Sequence, residues 1–454
     1  MKKRLIAGLV TFVCICTLFA GCSQKNNESD EGFAVITWES QSTNQKAVMT
    51  EIIENFNNTT GKEKKIKIDY KVTNSADATA GEVAFQTRQE PDLGGSIGLA
   101  QGVEKDYLLD ISKIPGAEEL LKKYEGSLVE GWHTYNGGVY AVPYGSVTAG
   151  LFYNKDLFKK AGLVDENGEA KAPSTYEEVI ECAKKLTNKK DRQFGILFDM
   201  KWSGFSTYVT HYLSQTNGGH RGYDFDNDIW DCSVYKPVLE MFLKLRDEGC
   251  VYPGAEGIER DAARAYFAAG NIGMFFGLSS DVGEFEYNFP PNFDLGVVPL
   301  PTEKADVKYY QPAHPQWTPY ISKRILEHAS EEQVYEIIKL LTSDEMAIAL
   351  YKGGAAIPWN YDLIKDVEFD SDIACWQEMG EMLAISRPYR DPAPSDLAGK
   401  DVNYMPRIWN NGEDIDTVLN EITEIRNEGQ KRYREKHPEY DVNQYRVRNY
   451  NERR

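Results

Sequence analysis

The sequence predicts an α/β protein of at least two lobes. Three observations carry this. The chain is 454 residues long, against roughly 100–200 residues for an ordinary domain. Short apolar strands alternate with helices of 3.6-residue apolar period, the pattern of parallel sheets with covered faces. The same pattern then starts again after Pro173, with new helix-start signals.

The N-terminus reads as an export signal. Met1-Lys2-Lys3-Arg4 is basic, Leu5 to Ala20 is apolar, and Ala20-Gly21-Cys22 precedes a polar run. The apolar stretch is too short to span a bilayer comfortably. The pattern predicts a lipoprotein signal peptide over 1–21, with Cys22 lipidated. An ordinary signal peptide with an incidental cysteine is the alternative. A diacyl or triacyl anchor would hold firmly. Residues 22–32 are polar without an apolar face and read as a flexible tether.

Hydrophobic content of 41% and aromatic content of 12% suffice for real cores. The net charge is −19, and loss of Lys2, Lys3 and Arg4 makes the mature chain more acidic still. That excludes nucleic acid as a partner on electrostatic grounds and leaves a neutral ligand open. Of seven cysteines, Cys14 and Cys16 leave with the signal. Cys182, Cys232, Cys250 and Cys375 remain, without a C-x-x-C pair. Two disulfides are possible in an exported chain; Cys182, on an apolar helical face, suits a buried free thiol equally.

Residues 33–38 (FAVITW) read as the first strand. Thr43 or Asn44 can cap a helix with Val48, Ile52, Ile53 and Phe56 on one face, ended by Gly61. Ile66, Ile68, Tyr70 and Val72 alternate as a second strand. In NGGVYAVPYGSVTAGLFYNKDLFKKAGL (136–163) a short apolar strand is broken at Pro143-Tyr144-Gly145 before a second apolar run. Ser174 to Glu177 reads as a capping box, followed by Tyr176, Val179, Ile180, Ala183 and Leu186 on one face. FGILFD (194–199), the end of RAYFAAGNIGMFFG (264–277) and DLGVVPLP (294–301) read as strands. Ser330 to Gln333 is a further capping box, before Val334, Ile337, Ile338 and Leu341. Ile415, Val418, Leu419, Ile422 and Ile425 mark a late helix, and the polar tail after about 431 reads as an extension of the second lobe or a partly mobile end.

Catalytic and metal motifs are missing from the sequence. His133, His211, His220, His314, His328 and His437 form no H-E-x-x-H, and no Walker-type loop occurs. Gly94-Gly95-Ser96-Ile97-Gly98 matches G-x-S-x-G, but the residues before it are too polar for the strand of a nucleophile elbow. The acidic run 224–231 lacks the Gly and Glu positions of a calcium loop. No catalytic residue, metal or cofactor is predicted.

What stands out is aromatic residues beside Gly or Pro at strand ends: Trp38, Tyr144, Trp202, Phe276-Gly277, Trp317, Trp359 and Tyr389. Open α/β sheets bind ligands beyond the carboxyl ends of their strands. A sugar ring has an apolar face that stacks on an aromatic, and hydroxyls that need polar partners. Core packing is the competing reading for each aromatic; Tyr144, Trp202 and Trp317 have the most loop-like neighbours.

Several blocks together resemble an extracellular solute-binding protein of the maltose-binding type, the lipoprotein receptor of a carbohydrate ABC importer. They are GGVYAVPYG…LFYNKDLFKKAGL…APSTYEEVIECAKKLT, PDL with YLLDIS, AYFAAGNIGMFFG, DLGVVPLP, and YISKRILEHASEEQVYEIIKLLTSDEMAIALYKGGAAIP. The resemblance implies a two-lobed α/β periplasmic-binding-protein-like fold of type II, a ligand cleft between the lobes and hinge crossovers. It implies 33–145 with 312–358 as lobe one, and 147–311 with 359–454 as lobe two. It implies a monomer that closes on a carbohydrate and docks on a membrane permease. By position it implies contact from Glu39, Ser40, Gln41, Ser96 and Tyr144 on the first lobe and hinge. Trp202, Phe276, Gly277, Arg387 and Tyr389 would come from the second, and Trp317 from near a crossover. The same scaffold holding a non-sugar solute, or a secreted glycan hydrolase, stands as the alternative.

Overall fold

The computed structural model describes residues 32–73, 78–307, 309–367, 373–392 and 396–447. The predicted signal, Cys22 and all but the last residue of the tether lie outside the described residues.

Strand β1 (Ala34–Ser40) pairs in parallel with β2 (Ile66–Val72), Ile36 opposite Ile68, and on its other side with β3 (Leu93–Gly94). The helix α1 (Lys46–Asn58) crosses between β1 and β2. Its Met49, Ile53 and Phe56 bury against Ile36, Ile66 and Ile68, so the apolar period sets the face it presents. Neither Thr43 nor Asn44 caps it: a 3₁₀ turn over Thr43–Gln45 leads in, and the Asn44 amide instead donates to the Ala355 carbonyl at 3.2 Å. Gly61 does not end the helical run either. A short turn over Thr60–Lys64 continues it, and Lys65, at φ 57°, reverses the chain. This first core is completed from far along the sequence, by Ile321, Ile325, Val334, Ile337, Ile338 and Leu350.

The spine of the remainder is β4 (Pro143–Asn154), twelve residues long. Pro143 does not break a strand; it begins one, where a residue without an N–H is tolerated. The first half of β4 pairs antiparallel with β8 (Gln311–Trp317) and β9 (Ile357–Pro358). Its second half pairs with β6 (Ile272–Leu278) and β7 (Leu295–Pro299). Strands β5 (Phe194–Leu197) and β10 (Ser386–Pro388) complete the sheet in parallel with β6 and β8. Side chains alternate along β4. Leu151 and Tyr153 enter a core with Phe198, Phe242, Met274 and Leu419, while Phe152 enters another with Phe275, Phe285, Trp376 and Met379.

The capping box read at Ser174 falls one residue later than the sequence suggests. Thr175, not Ser174, caps the helix α2 (Tyr176–Leu186), and Glu178, not Glu177, reaches back. The Glu178 carboxylate accepts from Thr175 N at 3.2 Å and also from Ser174 N at 2.7 Å, so one acid serves both candidate caps. The box at Ser330 and Gln333 forms as read and starts the helix α3 (Glu331–Leu341). The late helix α4 runs Ile415–Lys436, and beyond it Val442, Tyr445 and Val447 pack against Val129, Tyr223 and Trp230.

Among the described residues no disulfide forms: Cys182, Cys232, Cys250 and Cys375 are all free and buried. Burial pushes the thiols of Cys182 and Cys232 up to about 11 and that of Cys375 up to about 12. Thiolate is therefore scarce at neutral pH. We expect no reaction with a thiol-specific reagent in the native protein and four equivalents on unfolding (Cys22 excluded). Rapid native labelling, or a midpoint lowered by reductant, would contradict this.

Candidate functional site

A cavity of about 610 Å³ opens where β1, β3, β4 and β8 end or cross. Each wall follows from local sequence. Asp92, in the Pro-Asp-Leu stretch, accepts from the Thr37 backbone and hydroxyl, both at 2.9 Å, and so fixes β3 beside β1. Gly94 has φ 97°, and a Cβ there would stand 2.1 Å from the Glu39 carbonyl; only glycine fits this close approach. The two strand ends therefore deliver Glu39, Ser40, Gln41 and Ser96 to one rim, where the Gln41 amide donates to the Ser96 hydroxyl at 2.6 Å.

Tyr144, the second residue of β4, forms part of the floor. Its hydroxyl donates to Gln45 Oε1 at 3.0 Å. Trp317 ends β8 at a register shift opposite Pro143, which turns the indole toward the cavity. It stacks on Trp132 at 6.2 Å with 14° between planes, and His314 meets both indoles edge-on.

The structure thus brings Glu39, Ser40, Gln41, Ser96, Tyr144 and Trp317 around one cavity. The other five residues singled out in the sequence lie elsewhere. Trp202 stacks on Tyr208 and over the Arg260 guanidinium, beside a smaller cavity of about 250 Å³. Phe276 is core, against Phe198 and Phe242. Gly277 is packed under Phe152, whose ring a Cβ would meet at 2.5 Å. Arg387 lies over Tyr310 in a cavity of about 570 Å³, which shares the β4 and β8 crossing but uses Ser146 and Ala313 where the first uses Val147 and His314. Tyr389 is buried, its hydroxyl donating to the Tyr223 carbonyl. Sequence reasoning passed over Gln45, Tyr70 and His314 as lining residues. Tyr70 alone carried a signal, as the aromatic near the end of an alternating strand opposite Trp38.

The lining is almost free of charge. Among the described residues it includes one carboxylate, Glu39, and no Lys or Arg. Burial, with Arg221 and Arg390 nearby, pulls His314 down to about 4, so the imidazole is neutral at pH 7. Among the described residues, no group of three His, Cys, Asp or Glu could hold a metal ion.

These walls belong to a recognisable class of molecule. A family model described as bacterial extracellular solute-binding protein matches residues 39–348. The chain belongs to that family. Its members are binding proteins rather than enzymes, and the family's description places them outside the cytoplasm. Among relatives, the chain is 24% identical over 340 residues to an sn-glycerol-3-phosphate-binding periplasmic protein of Brucella melitensis, covering 71% of this chain and 73% of that one. Among solved structures it resembles a ribitol complex of a solute-binding protein from Agrobacterium radiobacter (TM-score 0.61, 18% identity, 88% and 98% of the two chains). It also resembles the maltose/maltodextrin-binding domain of Bdellovibrio bacteriovorus bound to maltotriose (TM-score 0.60, 16% identity, 88% and 100%). The fold is accordingly the two-lobed α/β fold of type II periplasmic binding proteins. Among the described residues no helix is long and apolar enough to cross a membrane.

One consequence for this family member is acid sensitivity. His133 is fully buried, and its Nδ1 accepts from the Val129 N–H at 2.9 Å, which fixes a neutral ring. Burial, then Arg390 and His314, pulls it down to about 3. Below about pH 6.5 the unfolded chain binds a proton that the native ring refuses, so stability falls with pH. The expected loss between pH 7 and pH 5 is about 2 kcal/mol from this residue. His133→Gln should show a smaller drop in urea midpoint over that range; an equal drop in both proteins would exclude the assignment.

Proposed function

We propose that this chain captures a neutral sugar, an oligosaccharide by preference, and delivers it to the permease of an ABC importer. The carrying observation is the lining of the larger cavity: aromatic faces from Trp38, Tyr70, Tyr144 and Trp317, hydroxyl and amide groups from Ser40, Gln41 and Ser96, one carboxylate and no cation. Aromatic faces stack on sugar rings, and the polar groups pair with hydroxyls. A phosphate ester would need a cation to offset its charge. The relative named for sn-glycerol 3-phosphate is therefore a poorer guide to this ligand than those solved with ribitol and maltotriose.

In this reading lobe one is about 33–145 with 312–358, and lobe two about 147–311 with 359–454. The core around β1, completed by residues from 321 onward, supports the first assignment. The core of Leu151, Phe198, Phe242 and Leu419 on one side of β4 supports the second, while the core on its other side also draws in Ala313, Tyr351 and Ile357 from the first. β4 and β8 then cross between lobes, and a ligand touching both sides stabilises the closed state. The chain works as a monomer held to the outer face of the membrane through Cys22, at the end of a polar tether.

A thermal-shift panel of maltotriose, raffinose, ribitol and sn-glycerol 3-phosphate on the full-length protein tests the reading. A sugar should raise the midpoint with concentration, and the phosphate ester should not. A shift with the ester alone would reverse the ligand class. No shift with any sugar, together with release of reducing ends from a polysaccharide, would sink the receptor reading altogether.

A further inference from the structure

Behind the cavity wall lies a pile of flat groups. Trp317 lines the cavity and stacks on Trp132. The Arg390 guanidinium lies over the Trp132 ring, 4.8 Å from its centre, and over the Tyr445 ring at 5.8 Å. Tyr445 belongs to the C-terminal segment and is itself buried, with Val442, Val447 and Val129. The backbone makes room for the cation. Gly131, at φ 75°, lies so close that a Cβ would stand 2.7 Å from Arg390 Nη2. Arg390 Nε has no hydrogen-bond partner among the described residues. Arg390 is half-buried, with its Nε shielded from solvent, and a shielded donor left unused costs desolvation; what the guanidinium gains here is two aromatic faces.

We infer that Arg390 is a positioning residue for the ligand wall: clamped between Tyr445 and Trp132, it holds the Trp132–Trp317 stack in the plane that the cavity presents. The inference rests on reading the larger cavity as the ligand site. It also gives the C-terminal segment, whose composition is polar, a task at the site: Tyr445 backs Arg390, and Tyr320, which lines the cavity, donates to the Trp132 carbonyl at 3.1 Å from the other side. Lysine cannot replace Arg390 in this role, because it carries the charge without the planar face.

Two stacked indoles whose transition dipoles are rotated relative to one another give a circular-dichroism exciton couplet, which needs no ligand. The pair's own signal is the difference between wild type and Trp132→Phe, and a wild type without such a signal overturns the inference. Arg390→Gln and Arg390→Lys should both lose most of it while remaining folded by far-ultraviolet spectrum and thermal midpoint. A wild-type couplet in either folded variant overturns the inference; should Arg390→Gln fail to fold, Arg390→Lys decides. For whichever of maltotriose, raffinose or ribitol binds the wild type, Arg390→Gln should raise Kd about tenfold. A lost couplet with an unchanged Kd overturns the link to the ligand. If no probe binds the wild type, the sugar reading fails alone and the couplet still decides the role of Arg390.

Discussion

Asp281→Asn is expected to destabilise the protein by about 3–5 kcal/mol, the cost of stranding a buried charge pair's partner. Asp281 is fully buried. Its Oδ1 accepts from Arg264 Nε and Nη2 at 2.8 and 2.6 Å, and its Oδ2 accepts from Arg260 and from the Leu278 N–H. Burial alone would raise this carboxyl; Arg260 and Arg264 outweigh it and hold it below its ordinary value. Asp199 shares Arg260 at 2.8 Å, yet burial prevails there and its carboxyl is raised. Asp281 is therefore the counter-ion on which both arginines depend. The asparagine amide would bring a donor up to guanidinium donors and leave Arg260 with Asp199 alone. The damage should reach beyond the pair, because Asp281 fixes the end of β6 at Leu278 and Arg260 carries the ring of Trp202. Asp261→Asn is the control: its carboxylate also meets Arg264, at 2.6 Å, but is 74% exposed, and exposed pairs contribute about 0–1 kcal/mol. Urea unfolding of both variants decides it. Equal midpoints would mean that the buried network adds no more than the surface pair.

Local signals in the sequence carried the first β–α–β unit well, because both of its periods are properties of the chain alone. Ile36, Ile66 and Ile68 alternate into one core; on the helix Ile53 and Phe56 are buried as read, Val48 and Ile52 pack only partly, and Met49, which the sequence reading passed over, is the third buried residue. Boundaries slipped where two neighbours could do the same job. Ser174 and Thr175 are both capping residues, and one carboxylate, that of Glu178, satisfies both backbones. The cavity was half legible for a different reason. Glu39 to Gln41 and Ser96 converge because the ends of the parallel neighbours β1 and β3 face the same way, a rule readable from topology; Tyr144 and Trp317 come from the start of β4 and the end of β8 in a second sheet, whose place beside the first has no local signature. Whether an aromatic at a strand end is exposed depends on what returns over it. Phe276 is covered by Phe198 and Phe242, from segments 34 to 78 residues earlier in sequence. Tyr389 is covered by Phe225 and the C-terminal valines. Such coverage is a long-range packing property without a local signature. The C-terminal segment shows the converse: its charges hid three buried apolar residues, Val442, Tyr445 and Val447.

The six convergent residues need not contribute equally, and their order can be predicted. Trp317→Ala removes one aromatic face from the wall. At about 25 cal/mol per Å² of apolar area taken from water, a covered indole face corresponds to about 2 kcal/mol, or roughly a thirtyfold rise in Kd. Tyr144→Phe keeps its ring and loses only the hydroxyl that holds Gln45 Oε1. A single neutral hydrogen bond contributes about 0.5–1.5 kcal/mol, so a rise of roughly two- to tenfold is expected. Gln41→Ala on the exposed rim loses a side chain that can still exchange its partners with water, and should change Kd least. Calorimetry on folded variants with the tightest-binding sugar reads the order directly. If Gln41→Ala costs more than Trp317→Ala, the rim rather than the aromatic wall holds the ligand. Recognition would then run through hydroxyl groups, and ring stacking would be incidental. If all three bind as wild type does, the ligand lies instead across the β4 and β8 crossing, in the cavity that contains Arg387.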